Sequence, residues 1–231
     1  VHSPAVTFTH AAQRGDAHPG QLKRSAGQRE AEILRLADPR LVPEGIAYDP
    51  LAFGTSTLFG DAAAGVLLAR EARGIATLKS VRASSMIDSE TIAMVRGSGM
   101  QAAHPAIEVP KSARWFMAGP PVAIGATRIL VEEIQRVQGD GVKIDWLIPH
   151  QANLTRILLP ACAKTGIDPD RLCASFAETG NTSSASIPIL LDQLIESRRA
   201  RPGEHALMVG FGASFSIGSA LIRFDESVGR N

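Results

Sequence analysis

The pattern of apolar and polar positions changes character along the chain at about Pro43. Beyond it, apolar segments are separated by Gly, Pro and Asp, as in a packed α/β domain. From Val1 to about Arg40 the chain is rich in His, Gln, Gly, Ser and Arg, and its apolar residues follow neither a strand nor a helix period, except in residues 28–36. We therefore expect a weakly structured segment over residues 1–42 and a domain over residues 43–231.

Beyond residue 43, the hydrophobic pattern predicts strands and helices in alternation. Residues 122–137 carry an apolar stripe at helical spacing after two prolines, which favours a helix started by proline. Asn153 can cap a further helix, and Pro160 should bend that helix or limit its early turns. The predicted strands are 57–69, 75–82, 144–148, 172–176, 206–210 and 216–224, and the predicted helices are 122–137, 153–164 and 184–198. The alternation by itself predicts a mostly parallel sheet with helices packed on it.

Composition narrows the class of protein. A chain of 231 residues that is 45% hydrophobic can bury a sizeable core, and its net charge of +1 gives no general field for nucleic acid or an anionic membrane. No apolar run approaches the ~18 residues that span a bilayer, and the first residues lack the order of a signal peptide. Cys162 and Cys173 stand far from any metal-ligand spacing, and two thiols indicate a reducing compartment. We expect a cytoplasmic protein without a metal site.

Three segments place polar or glycine-rich residues at the ends of predicted strands, where reactive groups gather in α/β sheets. His150 lies in WLIPHQAN, and Asn181 lies in ETGNTSSAS, just before a helix. Residues 209–218, VGFGASFSIG, contain glycines that let the backbone turn and present N–H groups. Taken singly, His150 is also explained as a structural hydrogen-bonding residue, Asn181 as a cap and the glycines as a bulge or hairpin.

Together, these segments resemble the C-terminal signature of β-ketoacyl-acyl-carrier-protein synthase III, a condensing enzyme of the thiolase fold. The resemblance runs from about Pro43 to Asp225 and rests on five ordered elements. They are LFGDAAAG at 58–65, MAG at 117–119, PHQAN at 149–153, GNTSSAS at 180–186, and GFG followed by GSALIRF at 218–224. The resemblance implies a thiolase-like α/β fold, mainly its C-terminal βαβαβ half, with a mixed sheet flanked by helices.

The resemblance also implies a decarboxylative Claisen condensation of an acyl primer with a malonyl thioester. In that reaction His150 and Asn181 would donate hydrogen bonds to the thioester oxygen, and the backbone N–H of Ala213 would form half of an oxyanion hole. Phe211 would pack beside the pocket, although an ordinary core aromatic explains it equally well. The implied substrate carriers are coenzyme A and the phosphopantetheine arm of acyl carrier protein, and the implied partners are acyl carrier protein, acyl-CoA, a malonyl thioester and a second subunit in a homodimer or heterodimer.

The family's nucleophilic cysteine is the main departure. By the resemblance it would fall near Gln13 and Arg14, where the chain has no cysteine, and Cys162 and Cys173 are interpreted as buried structural thiols. We therefore expect the first half of the fold to be missing, replaced or carried by another chain, and the apolar surface it would cover to drive association. Two alternatives stay open: a non-catalytic subunit or degenerate homologue that binds carrier protein or a partner synthase, and an acyltransferase to oxygen or nitrogen.

Overall fold

The computed structural model describes residues 5–7, 60, 62–70, 74–86, 92–94, 115–117, 119–212 and 215–228, with the backbone alone for 5–7, 92–94 and 115–117. Strands in this part of the chain are β1 (Ala5–Thr7), β2 (Leu67–Ala69), β3 (Ala76–Ser85), β4 (Ile92–Met94), β5 (Trp115–Met117), β6 (Trp146–Pro149), β7 (His205–Phe211) and β8 (Ser216–Phe224). The α-helices are α1 (Gly119–Gly139), α2 (Leu159–Thr165), α3 (Phe176–Thr179) and α4 (Ser186–Glu196). A π-helical turn, Leu154–Leu158, leads into α2, and 3-10 turns lie at Pro169–Arg171 and Ser183–Ala185.

Among the described residues, six strands form one mixed sheet in the order β2-β1-β3-β8-β7-β6. β6 and β7 run parallel, whereas β7 with β8, β3 with β8, and β1 with both of its neighbours run antiparallel. The expectation of a mostly parallel sheet is therefore wrong, and the mixed sheet flanked by helices is confirmed. The reason is the short link between Phe211 and Ser216: a parallel connection needs about a dozen residues, so β7 and β8 form a hairpin.

Side chains on the two faces of the sheet pack into two separate cores, because successive strand residues point to opposite sides. On one face Leu147, Leu207 and Leu221 pack with α1 and α2. On the other face Trp146, Ile148, Ala206, Ile222 and Phe224 pack with α4. The central strands are therefore covered on both sides, which makes this a three-layer α/β arrangement. Within the described ranges, no helix is both long and apolar enough to cross a bilayer.

Helix α1 and strand β8 agree closely with the sequence-based expectations. α1 extends the predicted 122–137 by a few residues at each end, and β8 has the predicted bounds. The face of α1 that lies on the core repeats at helical spacing, which is the pattern that predicted it. Its buried residues are Gly125, Ala126, Thr127, Ile129, Leu130, Glu133, Ile134 and Val137.

The helix after β6 shows what Pro160 does. Asn153 caps this segment as predicted, since its Oδ1 accepts a hydrogen bond from the Arg156 N–H at 2.8 Å. Pro160 has no N–H to give the Arg156 carbonyl four residues earlier. The chain there forms the wider π-helical turn Leu154–Leu158, and the Thr127 hydroxyl on α1 lies 3.4 Å from the Arg156 carbonyl oxygen.

Other predicted elements need correction. Residues 57–69 are not one strand, because residues 62–66 have no regular structure and β2 begins at Leu67. β2 and β3 are not neighbours, since β1 lies between them although it comes from the segment expected to be weakly structured. Residues 172–176 form no strand: Leu172 makes a single parallel bridge with Leu147, and Phe176 begins α3. The domain boundary between residues 42 and 43 stays a prediction, because the residues around it lie outside the described ranges.

A buried carboxylate, Glu133, connects α1 to the sheet. Its Oε1 forms an ion pair with Arg82 on β3. Its Oε2 accepts hydrogen bonds from Ser219 Oγ at 2.7 Å and from Arg136 Nη2 at 3.0 Å. Burial acts to raise the pKa of Glu133, but the hydrogen bonds from Ser219 and Arg136 and the charges of Arg136 and Arg82 outweigh it and hold that pKa below its usual value. One ionised carboxylate thus links α1, β3 and β8.

Candidate active site

The backbone of His150 is fixed at the carboxyl end of β6. Its N–H donates to the Val209 carbonyl at 2.8 Å, which continues the pairing of β6 with β7 by one residue. Its own carbonyl accepts from the Ala152 N–H at 3.1 Å, so the chain turns sharply there. The half-buried imidazole stands edge-on to the ring of Phe211, with centroids 5.1 Å apart and planes at 87°. β6 and β7 together therefore set the position of the imidazole.

The surroundings of His150 favour a neutral imidazole. Burial lowers its pKa, and a main-chain hydrogen bond with Ser183 acts in the opposite direction without cancelling that effect, so the pKa lies below its ordinary value. A neutral imidazole has one N–H donor and no permanent charge. At neutral pH His150 is therefore uncharged, with one ring nitrogen that donates and one that accepts.

Gln151 is a residue whose role the sequence did not assign. Its side chain is fully buried. Nε2 donates to the Pro149 carbonyl at 3.0 Å and lies 3.4 Å from the Cys173 carbonyl, while Oε1 accepts from the Ser175 N–H at 3.0 Å. The carboxamide thus ties the end of β6 to the segment that leads into α3. The signal available in the sequence was a polar residue two positions after an apolar strand, in PHQAN.

Asn181 follows α3 and is held in one orientation. The turn between them uses Gly180 at a φ of 68°, a value that favours glycine. Asn181 is 4% exposed, and its Oδ1 accepts from the Ser183 N–H at 2.9 Å. Because the oxygen end of the carboxamide is engaged there, the Nδ2 end is the one available to donate elsewhere. Sequence reasoning named Asn181, and the structure shows how its donor end is selected.

Ser183 joins the two candidate donors. Its N–H donates to the carboxamide oxygen of Asn181 at 2.9 Å, and its main chain lies close enough to the imidazole of His150 to raise the pKa of that group against the effect of burial. Ser183 has a φ of 54°, which is strained for a residue other than glycine. The structure therefore brings His150 and Asn181, 31 positions apart in the sequence, onto one residue.

The structure describes the hairpin after β7 only in part. Phe211 ends β7 and contacts His150, while its role in a pocket stays a prediction. Ala213 lies outside the described residues, so the backbone donor expected there also stays a prediction. On either side of it, the Gly212 N–H donates to the Ser216 carbonyl at 2.9 Å, and the buried Phe215 ring packs so closely on Gly125 of α1 that an added Cβ there would lie 2.6 Å from it.

Both cysteines are buried within the two cores. Cys162 is 1% exposed and Cys173 is 7% exposed. Burial raises the pKa of Cys162, and it raises the pKa of Cys173 to about 11 despite the nearby charge of Arg199. A thiol with such a pKa is protonated at neutral pH and is a poor nucleophile. Across the part of the chain that the structure describes, no group of His, Cys, Asp and Glu side chains is arranged to hold a metal ion.

Comparison with known proteins gives the fold and the site their context. Residues 135–224 match the family described as 3-oxoacyl-acyl-carrier-protein (ACP) synthase III C terminal. The chain is 34% identical over 177 residues to the β-ketoacyl-acyl-carrier-protein synthase III of Pectobacterium atrosepticum, covering 76% of this chain and 54% of that relative. The chain thus spans about half the length of such relatives.

Solved structures agree with the sequence comparison. The 3-oxoacyl-(acyl carrier protein) synthase III of Pseudomonas aeruginosa has a TM-score of 0.63 and 27% identity, over 77% of this chain and 54% of that one. A priming β-ketosynthase from a polyketide biosynthetic pathway has a TM-score of 0.60 and 28% identity, over 77% and 52%. The described α/β unit is therefore a thiolase-fold region. More narrowly, it is a C-terminal region of the ketoacyl synthase III type, as the resemblance of its motifs predicted.

Proposed function

We propose that this chain carries the decarboxylating half-site of a ketoacyl synthase III-type condensing enzyme. In the step concerned, the bond between the carboxylate and the α-carbon of a malonyl thioester breaks, carbon dioxide leaves, and the electron pair forms an enolate on the thioester oxygen. His150 and Asn181 donate hydrogen bonds to that oxygen as its charge develops. The enolate carbon then attacks the carbonyl carbon of an acyl thioester, so that a carbon–carbon bond forms and the thiolate leaves, or, where no acyl group is present, it takes a proton from water.

The single observation that carries the proposal is that Ser183 lies beside both residues: its N–H holds the carboxamide oxygen of Asn181, and its main chain acts on the imidazole of His150. Both donors are neutral, so placing them in a dry site does not require the desolvation of a charge. Each such donor is worth roughly 3 kcal/mol of transition-state stabilisation in a preorganised site. A carboxamide suits this role better than a carboxylate, because an ionised Asp at position 181 could only accept.

Further parts of the proposal concern substrates, partners and location. We propose that coenzyme A or the phosphopantetheine arm of acyl carrier protein presents the acyl and malonyl groups, in the cytoplasm, and that the chain acts in a homodimer or heterodimer. Exposed apolar side chains support association: Val66, Leu67, Leu68 and Val81 are 46–66% exposed. A monodisperse monomer at micromolar concentration would contradict this association.

The proposal is tested by the release of labelled carbon dioxide from carboxyl-labelled malonyl-coenzyme A. Decarboxylation ends in protonation, so the assay requires no nucleophile and can be run on the purified chain. We expect release above the uncatalysed background, and the variants His150→Ala and Asn181→Ala should each lower it by roughly 100-fold. Circular dichroism of each variant shows whether the fold persists. No release from a folded, unaltered chain would contradict the proposal.

The pH dependence of this release should report on His150. The neutral imidazole is the donor, and burial lowers its pKa, so the rate should hold as the pH falls to the ordinary value of 6.5 and decline only below it. The measurement is kcat/KM for carbon dioxide release as a function of pH. His205→Gln is the control, because burial also lowers the pKa of His205, on the far end of β7. A decline that begins above 6.5, or one that disappears in the His205 variant, would contradict the assignment.

A second candidate, a non-catalytic subunit that stabilises an active partner, is favoured by the state of the thiols. Cys162 and Cys173 are both buried with raised pKa values, so neither fits the acyl-carrying role. The carbon dioxide assay separates the two candidates. Release that depends on both His150 and Asn181 favours the half-site, and a folded but inactive chain favours the subunit.

A further inference from the structure

One glycine outside the candidate pair lies against the loop that carries Asn181. The Gly60 N–H donates to the main-chain carbonyl of Asn181 at 3.0 Å. A Cβ added to Gly60 would lie 2.1 Å from the carbonyl oxygen of Thr179 and 3.6 Å from Cγ2 of Thr182. The first distance is far below any contact that a real Cβ makes, and the obstacle is backbone. Gly60 therefore packs directly on the turn between α3 and Asn181, where no side chain fits.

We propose that Gly60 is a positioning residue for Asn181, and this inference rests on the proposed function. The LFGDAAAG segment at residues 58–65 then has a role at the site: its glycine N–H anchors the main chain of Asn181. The Ser183 N–H separately orients the side chain of the same residue. Hydrogen bonds thus fix both the main-chain carbonyl and the side-chain oxygen of Asn181. Together they set the direction in which its Nδ2 group can donate.

The conformation of the loop explains why such an anchor is needed. Gly180 and Ser183, which bracket Asn181 and Thr182, both have positive φ values, 68° and 54°. The strain at Ser183 persists only if surrounding contacts over-determine the backbone. The bond from Gly60 is one such contact, and it comes from a segment remote in sequence. Losing it should let the loop relax and should move the Asn181 donor away from the imidazole of His150.

A second glycine in the same segment provides a matched control. Gly65 has no atom within 4 Å of the position that a Cβ would occupy, and it lies among exposed residues. Gly65→Ala adds the same methyl group as Gly60→Ala and lowers the entropy of the unfolded chain in the same way. The two variants therefore differ in whether the added methyl group clashes with the loop that carries Asn181.

The experiment measures both variants in two ways. In the carbon dioxide assay, Gly60→Ala should lower kcat at least tenfold with KM changed less than threefold, and Gly65→Ala should leave both values unchanged. In 1H–15N spectra, the Asn181 side-chain amide signal, assigned by its loss in Asn181→Asp, should shift in Gly60→Ala and stay in Gly65→Ala. The spectra need no activity, so they test the positioning role even if the chain releases no carbon dioxide.

An unmoved Asn181 amide signal in folded Gly60→Ala would overturn the inference, as would equal effects of the two variants. If Gly60→Ala does not fold, hydrogen exchange of the Gly60 amide in the unaltered chain decides the matter. A bonded amide should exchange at least about 100-fold more slowly than the rate expected for an open chain. Exchange at the open-chain rate would show that Gly60 does not hold Asn181.

Discussion

Asn181→Asp should lower the rate of carbon dioxide release at least about 100-fold while the protein stays folded. An aspartate at this position can still accept the Ser183 N–H, which lies 2.9 Å from Oδ1 of the asparagine. Its second oxygen, however, cannot donate, and its charge opposes the negative charge that forms on the thioester oxygen. The substitution therefore removes the proposed donor and keeps the contact that holds the loop.

Comparison with Asn181→Ala makes this test specific. Alanine removes both the donor and the acceptor for Ser183, whereas aspartate removes the donor alone. If Asn181 acts by donating a hydrogen bond to the thioester oxygen, both variants should lose carbon dioxide release to a similar extent. Thermal melting should show a smaller loss of stability for the aspartate variant than for the alanine variant. An active aspartate variant beside an inactive alanine variant would show instead that Asn181 acts only by holding the loop.

The fold was predictable where periodicity was long. α1 is a 21-residue helix whose buried stripe runs from Gly125 to Val137, and β8 is a nine-residue strand, so both were placed close to their observed bounds. Residues 172–176 were misassigned because a short apolar run looks the same in a strand and in a buried connection. There, the Cys173 N–H donates to the Leu147 carbonyl at 2.9 Å, but the Ser175 N–H donates to the side chain of Gln151 instead of to a sheet partner. The length of a run could not reveal a side-chain partner 24 residues away.

The candidate site, like the fold, could be predicted from the sequence only in part. Asn181 follows α3 and not the predicted strand, and the roles of His150 and Asn181 stay predictions. Both residues were visible as candidates in the sequence, through their side-chain chemistry. Ser183 and Gly60 were not, because both act through main-chain atoms. A main-chain N–H donates whatever the side chain is, so residue identity gives no sign of it. Only the 2.1 Å separation between an added Cβ at Gly60 and the Thr179 carbonyl shows why glycine stands there.

Glu133→Ala should lower the free energy of unfolding by about 2–3 kcal/mol. The carboxylate is buried, and its removal leaves Arg82, Arg136 and Ser219 without the group that joins them. Breaking a fully buried ion pair costs roughly 3–5 kcal/mol. The expected value lies below that, because the Arg82 and Arg136 side chains are 49% and 35% exposed and water can solvate them after the change. Urea denaturation at neutral pH measures the difference.

The neighbouring Glu132→Ala is the control, since its pair with Arg128 is long, 3.8 Å, and exposed on both sides. Such a surface pair contributes about 0–1 kcal/mol. Equal losses in the two variants would show that the Glu133 cluster adds nothing beyond helix propensity. The pH dependence gives a second check. The folded-state pKa of Glu133 is depressed, so its contribution should be complete above the ordinary value of 4.5 and should be lost as the pH falls through the folded-state pKa. The unaltered chain and Glu133→Ala should therefore converge in stability under acid.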